Sequence, residues 1–220
     1  MSVLRSCVWL CLPLALALSG CIRLPVGIQG SGVSKTETRT VGEFHAVSHN
    51  VVGEVTIQIG QPPSVQVTFD DNLLEILETS VVDGELRIDC NENYSSQVGL
   101  KIQITTPSLD ELKLTSVGSM EVTGFAGESL TVNQSGVGSL KVEGKAKSVD
   151  LKVSGVGSAD LKGLEAETVK VVVSGVGEAS VFASESVDAS TSGIGEITVH
   201  GNPKEQKTKS SGIGEVSFSK

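Results

Sequence analysis

The residues best suited to chemistry form a glycine-rich word that recurs along the second half of the chain. SGVGS starts at Ser135 and Ser154, SGVGE at Ser174, and SGIGE at Ser192 and Ser211. A glycine-rich loop before a helix can bind phosphate through its backbone amides, but such a loop occurs once and usually carries a lysine. This word recurs every 18 to 20 residues, with Ser or Glu after the second glycine and strand-like sequence beyond it. The repetition therefore indicates a structural role.

Metal binding is the second chemistry to weigh, because carboxylates share this period. Glu178, Glu196 and Glu215 each follow the second glycine of a word, and Glu54 follows a similar Val-Gly pair. Stacked carboxylates can form a weak calcium site, because calcium prefers oxygen ligands. They also tolerate one another as a solvated ridge, because their repulsion in water is below about 1 kcal/mol. Toxin-type calcium repeats have a shorter period and an aspartate after the glycines. The sequence therefore favours a solvated row of carboxylates over a calcium site, and it predicts no metal site and no cofactor.

The histidines and arginines do not suggest a catalytic constellation. His45 and His49 are four residues apart, which on a strand places them on one face. A metal pair is one interpretation, but two solvated histidines on an edge strand are favoured. His200 is expected to face solvent. The three arginines beyond residue 20 all precede the repeats, so the clustered carboxylates and basic residue of a polysaccharide-cleaving β-helix are not predicted.

Columns of residues appear when the words are aligned on their first glycine. Aliphatic residues recur four positions before it and four and six positions after it, as in Leu151, Leu140 and Val142, with polar residues between them. Alternation with period two is typical of strands with one buried face. The aliphatic residue between the two glycines of each word is also predicted to point inward and to stack on its copies. This column comprises Val117, Val137, Val156, Val176, Ile194 and Ile213.

Each period of about 19 residues accommodates a strand, a glycine corner, a second strand and a return of variable length. This layout predicts an all-β fold, a single-stranded parallel β-helix whose coils stack at about 4.8 Å. Glycines are expected at the corners, where the backbone turns and neighbouring coils approach closely. The structural corner glycines are Gly136, Gly138, Gly155, Gly157, Gly175, Gly177, Gly193, Gly195, Gly212 and Gly214.

The two ends of the predicted β-helix differ from its middle. The last coil has Thr208 where earlier coils have mostly aliphatic residues, which indicates a polar cap on the open end. Over 37–108 the repeat is irregular, although alternating strands persist, and Val82-Asp83-Gly84-Glu85 carries the signal of a tight hairpin. This section is expected to pack onto the same solenoid, while 109–220 forms the regular coils.

The beginning of the chain indicates export and lipid attachment. Residues 1–20 combine Arg5 with a short apolar run, which is typical of a signal peptide and too short for a membrane helix. Leu18-Ser19-Gly20-Cys21 is similar to a bacterial lipobox, so Cys21 is predicted to carry lipid. Residues 21–36 are then the lipidated cysteine and a flexible tether, and 37–220 is the β-helix domain. Ile22 favours the outer membrane of the bacterial cell envelope, facing either periplasm or exterior.

Composition limits the partners. The net charge of −9 provides no electrostatic footprint for nucleic acid. Cys90 is the one cysteine beyond Cys21, which leaves no pair for a disulfide within the domain. Phe218 lies in a column predicted to be buried, and Tyr94 is the aromatic residue expected at the surface. Little aromatic surface is therefore available for carbohydrate binding.

These features together resemble the auto-transporter adhesin, head GIN domain family, a domain of unknown function found on bacterial lipoproteins. The matching stretches are TRTVGEFHAVSHNVVGEVTIQIG, PPSVQVTFDDNLLEILETSVVDGELRI and the serial SG[VI]G words, which together span about residues 37–220. The resemblance implies a right-handed β-helix with a pectin-lyase-like shape and no assigned catalytic residues.

The sequence therefore predicts a non-catalytic, lipid-anchored envelope protein that displays rigid acidic β-sheet faces to a protein or glycan partner, as an adhesin-like or structural module. Two alternatives remain at this stage. One is a polysaccharide lyase or hydrolase on a β-helix, and the other is a calcium-stabilised structural module. The oligomeric state is left open.

Overall fold

A computed structural model describes residues 27–219 of the chain. Over this range the protein is all-β, without a helix, and forms a β-solenoid of about 5 turns with about 20 residues per turn. The predicted fold class and the predicted period are therefore confirmed. The signal peptide predicted for 1–20 and the lipid site predicted at Cys21 lie outside the described residues.

Seventeen strands are described, and all but two belong to one 15-stranded sheet. In the first half they are β1 (Ile28–Gln29), β2 (Ser34–Arg39), β3 (Ala46–His49), β4 (Gly53–Ile59), β5 (Ser64–Asp70), β6 (Leu77–Val82), β7 (Glu85–Cys90), β8 (Tyr94–Ser95), β9 (Lys101–Thr106) and β10 (Glu111–Leu114). In the second half they are β11 (Val117–Gln134), β12 (Val137–Val153), β13 (Val156–Val173), β14 (Val176–Thr191), β15 (Ile194–His200), β16 (Glu205–Ser210) and β17 (Glu215–Ser219).

The regular coils are built from long strands that pair in parallel with the next copy of themselves. β11, β12, β13 and β14 follow one another in the sheet, and each bends at a register shift near its second glycine corner. The glycine words remain in register throughout, so that Gly138 pairs with Gly118 on one side and with Gly157 on the other. Equivalent residues of successive coils therefore stack directly above one another.

The core is a single cluster of aliphatic side chains that runs along the solenoid axis. The columns predicted to be buried are buried: Leu140, Val142 and Leu151 are each at most 1% exposed. The column between the two glycines is the exception, and its prediction was wrong. Val137 is 48% exposed, and Val117, Val156, Val176, Ile194 and Ile213 are exposed as well.

Strand parity explains this correction. β12 begins at Val137, so the alternation that buries Leu140 and Val142 continues back through Gly138 without a break. Val137 consequently shares the outward face with Ser139. An inward valine would have required the alternation to break at the second glycine.

The N-terminal section continues the solenoid. β10 pairs in parallel with β3 and β11 with β4, while β7 and β9 extend the stack by one further layer. Gly53 lies opposite Gly118, so the VVGE stretch is one more copy of the corner. The predicted hairpin joins β6 to β7, where Asp83 (φ 52°) and Gly84 (φ 76°) both adopt the positive φ angles of a type I′ turn.

Residues 27–36 lie against the domain, which corrects the prediction that the whole of 21–36 is a flexible tether. β1 pairs with β8, and β2 pairs in antiparallel fashion with β5 from Ser34 onward. Asn72 connects the same segment to the turn after β5, because its side chain donates to the carbonyl of Gln29 and accepts from the amide of Ser31. The chain between 27 and 36 is therefore part of the folded unit.

The C-terminal end is polar, as predicted from Thr208. Every residue of β16 is exposed, which presents charged and hydroxyl side chains at the edge of the last coil. Phe218 corrects a prediction: its register with Val199 continues a core column, but it is 42% exposed because it belongs to the last strand of that stack.

Candidate functional site

The corner glycines are required by the close approach of stacked backbones. A Cβ atom on Gly138 would lie 1.8 Å from the carbonyl oxygen of Gly118, and one on Gly157 would lie 1.8 Å from that of Gly138. The first glycine of each word is equally tight, since a Cβ on Gly155 would lie 1.9 Å from the oxygen of Gly136. No real Cβ can occupy such a position. The glycine columns therefore form two strips along the corner of the solenoid in which the backbones of successive coils are in close contact.

A row of aliphatic side chains stands between these two strips, and we call it the aliphatic ridge. Its members share outward parity, adjacent positions in the stack and exposure of 48% or more. They are Val52, Val117, Val137, Val156, Val176, Ile194 and Ile213. The row was recognised in the sequence, but its direction was predicted wrongly.

The predicted glutamate column exists beside the ridge. Glu178, Glu196 and Glu215 occupy consecutive paired positions and line a shallow depression of about 610 Å³ together with ridge residues. Glu54 stands in the same row four coils away and lies 3.6 Å from Lys101. Within 27–219, however, no group of three or more acidic, histidine or cysteine side chains is arranged to hold a metal ion. The geometry supports the solvated acidic row.

Calcium should not stabilise the protein. Because the glutamate row offers exposed, unconverged carboxylates, we expect the melting temperature to change by less than ~1 °C between millimolar calcium and excess chelator. Differential scanning fluorimetry measures this directly. Magnesium is the matched control for ionic strength and divalent charge, and a rise specific to calcium would contradict the expectation.

A concave cleft lies at the N-terminal end of the ridge. It has a volume of about 600 Å³ and is lined by residues 50–54, 90, 92–94, 96 and 98–101, with Tyr94, Glu54 and Lys101 among them. Tyr94 is half-buried, corrects the expectation of a freely exposed ring, and packs edge-to-face on Phe69 with ring centroids 5.4 Å apart. Burial raises the pKa of its hydroxyl. Nothing in the sequence predicted the cleft, because its walls come from separate loops.

Asp70 is a buried carboxylate beside the cleft, and sequence reasoning missed it as well. Asp70 is fully buried and accepts hydrogen bonds from the Gly32 amide at 2.7 Å, the Ser96 hydroxyl at 2.5 Å, and the Gln97 and Val98 amides at 3.2 Å each. Burial alone would raise the pKa of this carboxyl, but the four donors outweigh it and hold the pKa below its ordinary value. Asp70 therefore connects the N-terminal segment to the 96–98 loop.

Asp70→Asn should loosen both of these segments. The amide group of asparagine would place a donor where the carboxylate now accepts hydrogen bonds, so we expect about 2 kcal/mol less protection of the 27–33 and 94–98 amides. Hydrogen exchange followed by mass spectrometry resolves the two segments from the coils. Asp71→Asn is the matched control, because Asp71 is partly exposed and accepts only from the Ser31 hydroxyl. Equal protection in both variants would contradict the role of Asp70.

The two N-terminal histidines are separated by the structure. His45 is exposed, with Nδ1 at 3.6 Å from a carboxylate oxygen of Asp110. His49 is 0% exposed, because its strand lies between β10 and β7 and not at an edge. The prediction of two solvated histidines is therefore wrong for His49. Neither of its ring nitrogens has a partner at good hydrogen-bond geometry, and the Gly53 backbone is only a weak one. Burial therefore prevails and lowers the pKa of His49 to about 4, against the smaller opposing effects of the Gly53 backbone and Asp89.

The flat sides of the solenoid carry ion pairs between coils. Lys141 lies 3.1 Å from Glu121, Lys147 lies 2.6 Å from Glu128, and similar pairs join Lys207 to Asp188 and Lys145 to Glu165. Each exposed pair contributes little to stability. Their arrangement shows that several acidic residues on these faces are matched by a lysine of a neighbouring coil. His200 is half-buried at the end of β15, so the expectation that it faces solvent holds only in part.

Comparison with known proteins gives consistent matches. The family model described as "Putative auto-transporter adhesin, head GIN domain" matches residues 43–203. A "putative adhesin" from Bacteroides fragilis is 25% identical with a TM-score of 0.75, covering 88% of this chain and 100% of the other. A "putative adhesin" from Parabacteroides merdae is 16% identical with a TM-score of 0.57, covering 88% of this chain and 99% of the other.

A "putative lipid binding protein" from Parabacteroides distasonis has a similar fold, with a TM-score of 0.53 and 20% identity over 88% of this chain and 99% of the other. No curated protein matches the chain significantly. Between residues 27 and 219, no helix has the length and apolar character needed to cross a membrane.

Proposed function

Because the chain belongs to the family described as "Putative auto-transporter adhesin, head GIN domain", we propose that it is a non-catalytic, adhesin-like binding protein of the bacterial cell envelope. The family and the adhesins of similar structure support an adhesin-like role at the cell surface or envelope. The observation that carries the proposal is the unbroken register of the stacked glycine words, which holds rows of polar side chains at a fixed spacing of about 4.8 Å.

The N-terminal cleft is the most suitable place for a ligand. It is concave, and it combines the ring of Tyr94 with the charged groups of Glu54 and Lys101 around apolar walls from Val52 and Leu100. Aromatic and apolar walls with a few oriented polar groups are typical of ligand sites. A glycan or a polar peptide segment fits this chemistry.

Binding and catalysis can be distinguished in one screen. Residues 27–220, purified without the leader, are tested against a polysaccharide panel and an array of extracellular proteins, with both retention and product formation measured. Retention that is lost in Lys101→Glu but kept in Lys209→Glu, an exposed lysine of β16 distant from the cleft, supports the proposal. Reproducible cleavage of any polysaccharide would overturn the non-catalytic assignment.

Lipid anchoring at Cys21 is the second part of the proposal. The lipobox-like sequence before Cys21 supports it, and a lipid there would place the solenoid beside a membrane, in an outer-membrane location. Labelling of growing cells with a palmitate analogue should mark the wild-type protein and leave Cys21→Ser unmarked, with Cys90→Ser as the matched control. Protease treatment of intact cells then distinguishes a surface-facing domain from a periplasmic one.

A further inference from the structure

The aliphatic ridge is the largest apolar feature on the described surface. Its seven side chains are 48–80% exposed and adjacent along the stack, whereas other exposed apolar residues such as Val33 and Val82 stand apart from it. These side chains form one contiguous apolar row in water, and contiguous apolar surface of this kind is typical of interaction sites. Val52 is shared with the cleft, whereas the other six members of the row belong neither to the cleft nor to the ion-paired faces.

We propose that the aliphatic ridge is the contact surface of a homodimer, in which the ridge of one copy packs on the ridge of a second copy in antiparallel orientation. Packing the two rows against each other would remove apolar surface of both copies from water, which is the main favourable contribution in most protein association. A two-fold axis makes such an interface self-complementary, since the same row contacts itself on both copies. The proposal does not depend on the adhesin-like role.

Shape supports a second copy as the occupant. On the side of the second glycine of each word, shallow depressions run beside the ridge as a strip lined by these glycines and the ridge side chains. Aliphatic side chains from another ridge fit into such a strip only if they repeat with the same spacing of about 4.8 Å. A second copy of this chain has the same spacing, because its coils stack in the same way. The strip beside the ridge of the second copy can therefore accommodate the ridge of the first.

Charge supports the antiparallel orientation. The row beside the ridge begins with Lys101 and Glu54 at the N-terminal end, continues through serines, and ends with Glu178, Glu196 and Glu215. In the antiparallel arrangement the glutamate end of one copy faces the serines and the Glu54–Lys101 ion pair of the other. The three glutamates of one copy are thereby kept away from those of its partner.

Sedimentation equilibrium of residues 27–220 tests the dimer. The segment is suitable because it contains the whole described sheet and core, and because the Bacteroides fragilis chain, matched over 100% of its length, corresponds to 88% of this chain. We expect twice the monomer mass at micromolar concentration. Val137→Lys combined with Val176→Lys should weaken the dimer at least ~100-fold, since both copies would bury lysines in an apolar contact.

The matched control is Val82→Lys, because Val82 is 40% exposed on the β6–β7 hairpin away from the ridge. It should dimerise like wild type. Circular dichroism establishes that each variant is folded, and the β-branched variant Val137→Thr with Val176→Thr provides a milder change should the lysine variant not fold. A monomeric wild type, or a dimer that persists in folded ridge variants, would overturn the proposal.

Cysteine cross-linking in a Cys90→Ser background tests the orientation. Val156→Cys lies at the middle of the ridge and should form a disulfide with itself across the two-fold axis. Val52→Cys should link to Ile213→Cys of another copy and not to a second Val52→Cys. Self-linking at every position would overturn the antiparallel arrangement, and ridge-dependent binding of monomers to phosphatidylethanolamine–phosphatidylglycerol vesicles would overturn the dimer in favour of a membrane contact.

Discussion

Gly177→Ala will lower the free energy of unfolding by at least ~4 kcal/mol, which for a domain of this size corresponds to a fall in melting temperature of about 10 °C or more. A Cβ atom at this position would lie 2.0 Å from the carbonyl oxygen of Gly157 in the preceding coil. That oxygen belongs to backbone and cannot move aside as a flexible side chain would. The coils would have to separate locally by more than about 1 Å to restore ordinary van der Waals contact near ~3.5 Å, and ladder hydrogen bonds on both sides would be strained.

Two other glycines are the controls, and they separate steric crowding from backbone conformation. Gly177 does not have a positive φ angle, so its requirement for glycine is a matter of space alone. Gly60 has φ 91°, but nothing lies within 4 Å of the position that a Cβ atom would take there, and Gly60→Ala should cost only about 1–2 kcal/mol. Gly42 has neither constraint, and Gly42→Ala should be neutral or slightly stabilising.

Chemical denaturation of the three variants gives this ranking directly. If Gly177→Ala unfolded at the same denaturant concentration as Gly42→Ala, the close stacking of the corners would be incorrect. A loss equal to that of Gly60→Ala would instead indicate that conformational preference, and not contact between coils, selects glycine in the words.

The regular coils could be predicted because the same alternation of aliphatic and polar residues recurs in every coil. Leu140, Val142 and their copies repeat with period two inside a longer period, and such a pattern is compatible with few folds. The prediction for the ridge was wrong although the sequence contains the correct answer: parity from Leu140 back to Val137 gives an outward side chain. The glycine corner suggested a break in alternation that the backbone does not make.

Asp70 and His49 could not be assigned from sequence, because long-range pairing determines their environments. Asp70 ends a strand and precedes another acidic residue, which ordinarily indicates an exposed turn, yet donors from 32 and 96–98 surround it. His49 was predicted to lie on an edge strand. The strands that flank it in the structure, β7 and β10, are distant from it in sequence and are separated from it by the irregular section. Local patterns carry no information about such partners.

His49 should make the protein lose stability as the pH falls from 6.5 to 4. In the folded protein the pKa of His49 is lowered to about 4, chiefly by burial, whereas in the unfolded chain it returns to its ordinary value of 6.5. Below pH 6.5 the unfolded chain therefore binds a proton that the folded protein cannot accept. The full stability is retained above pH 6.5. Roughly 3 kcal/mol of the free energy of unfolding is lost by pH 4, where the folded protein also begins to bind the proton.

His49→Leu isolates this contribution. His49 pairs in register with Leu114 on one side and Ile88 on the other, so a leucine continues an apolar column and removes two unpartnered ring nitrogens. We expect stability at pH 7 to be equal to or above that of wild type, and the decline between pH 6.5 and 4.5 to become shallower by about 2–3 kcal/mol. Urea unfolding at a series of pH values measures both quantities.

His45→Gln is the matched control, because His45 belongs to the same segment of chain but is exposed. It should retain the wild-type decline in stability with acid. Carboxylates such as Asp70, whose folded pKa lies below its ordinary value, lose their contribution only at lower pH, so the window above pH 4.5 is dominated by His49. If His49→Leu kept the full wild-type slope in this window, the buried and uncharged state of His49 would be wrong, and with it the placement of β3 between β7 and β10.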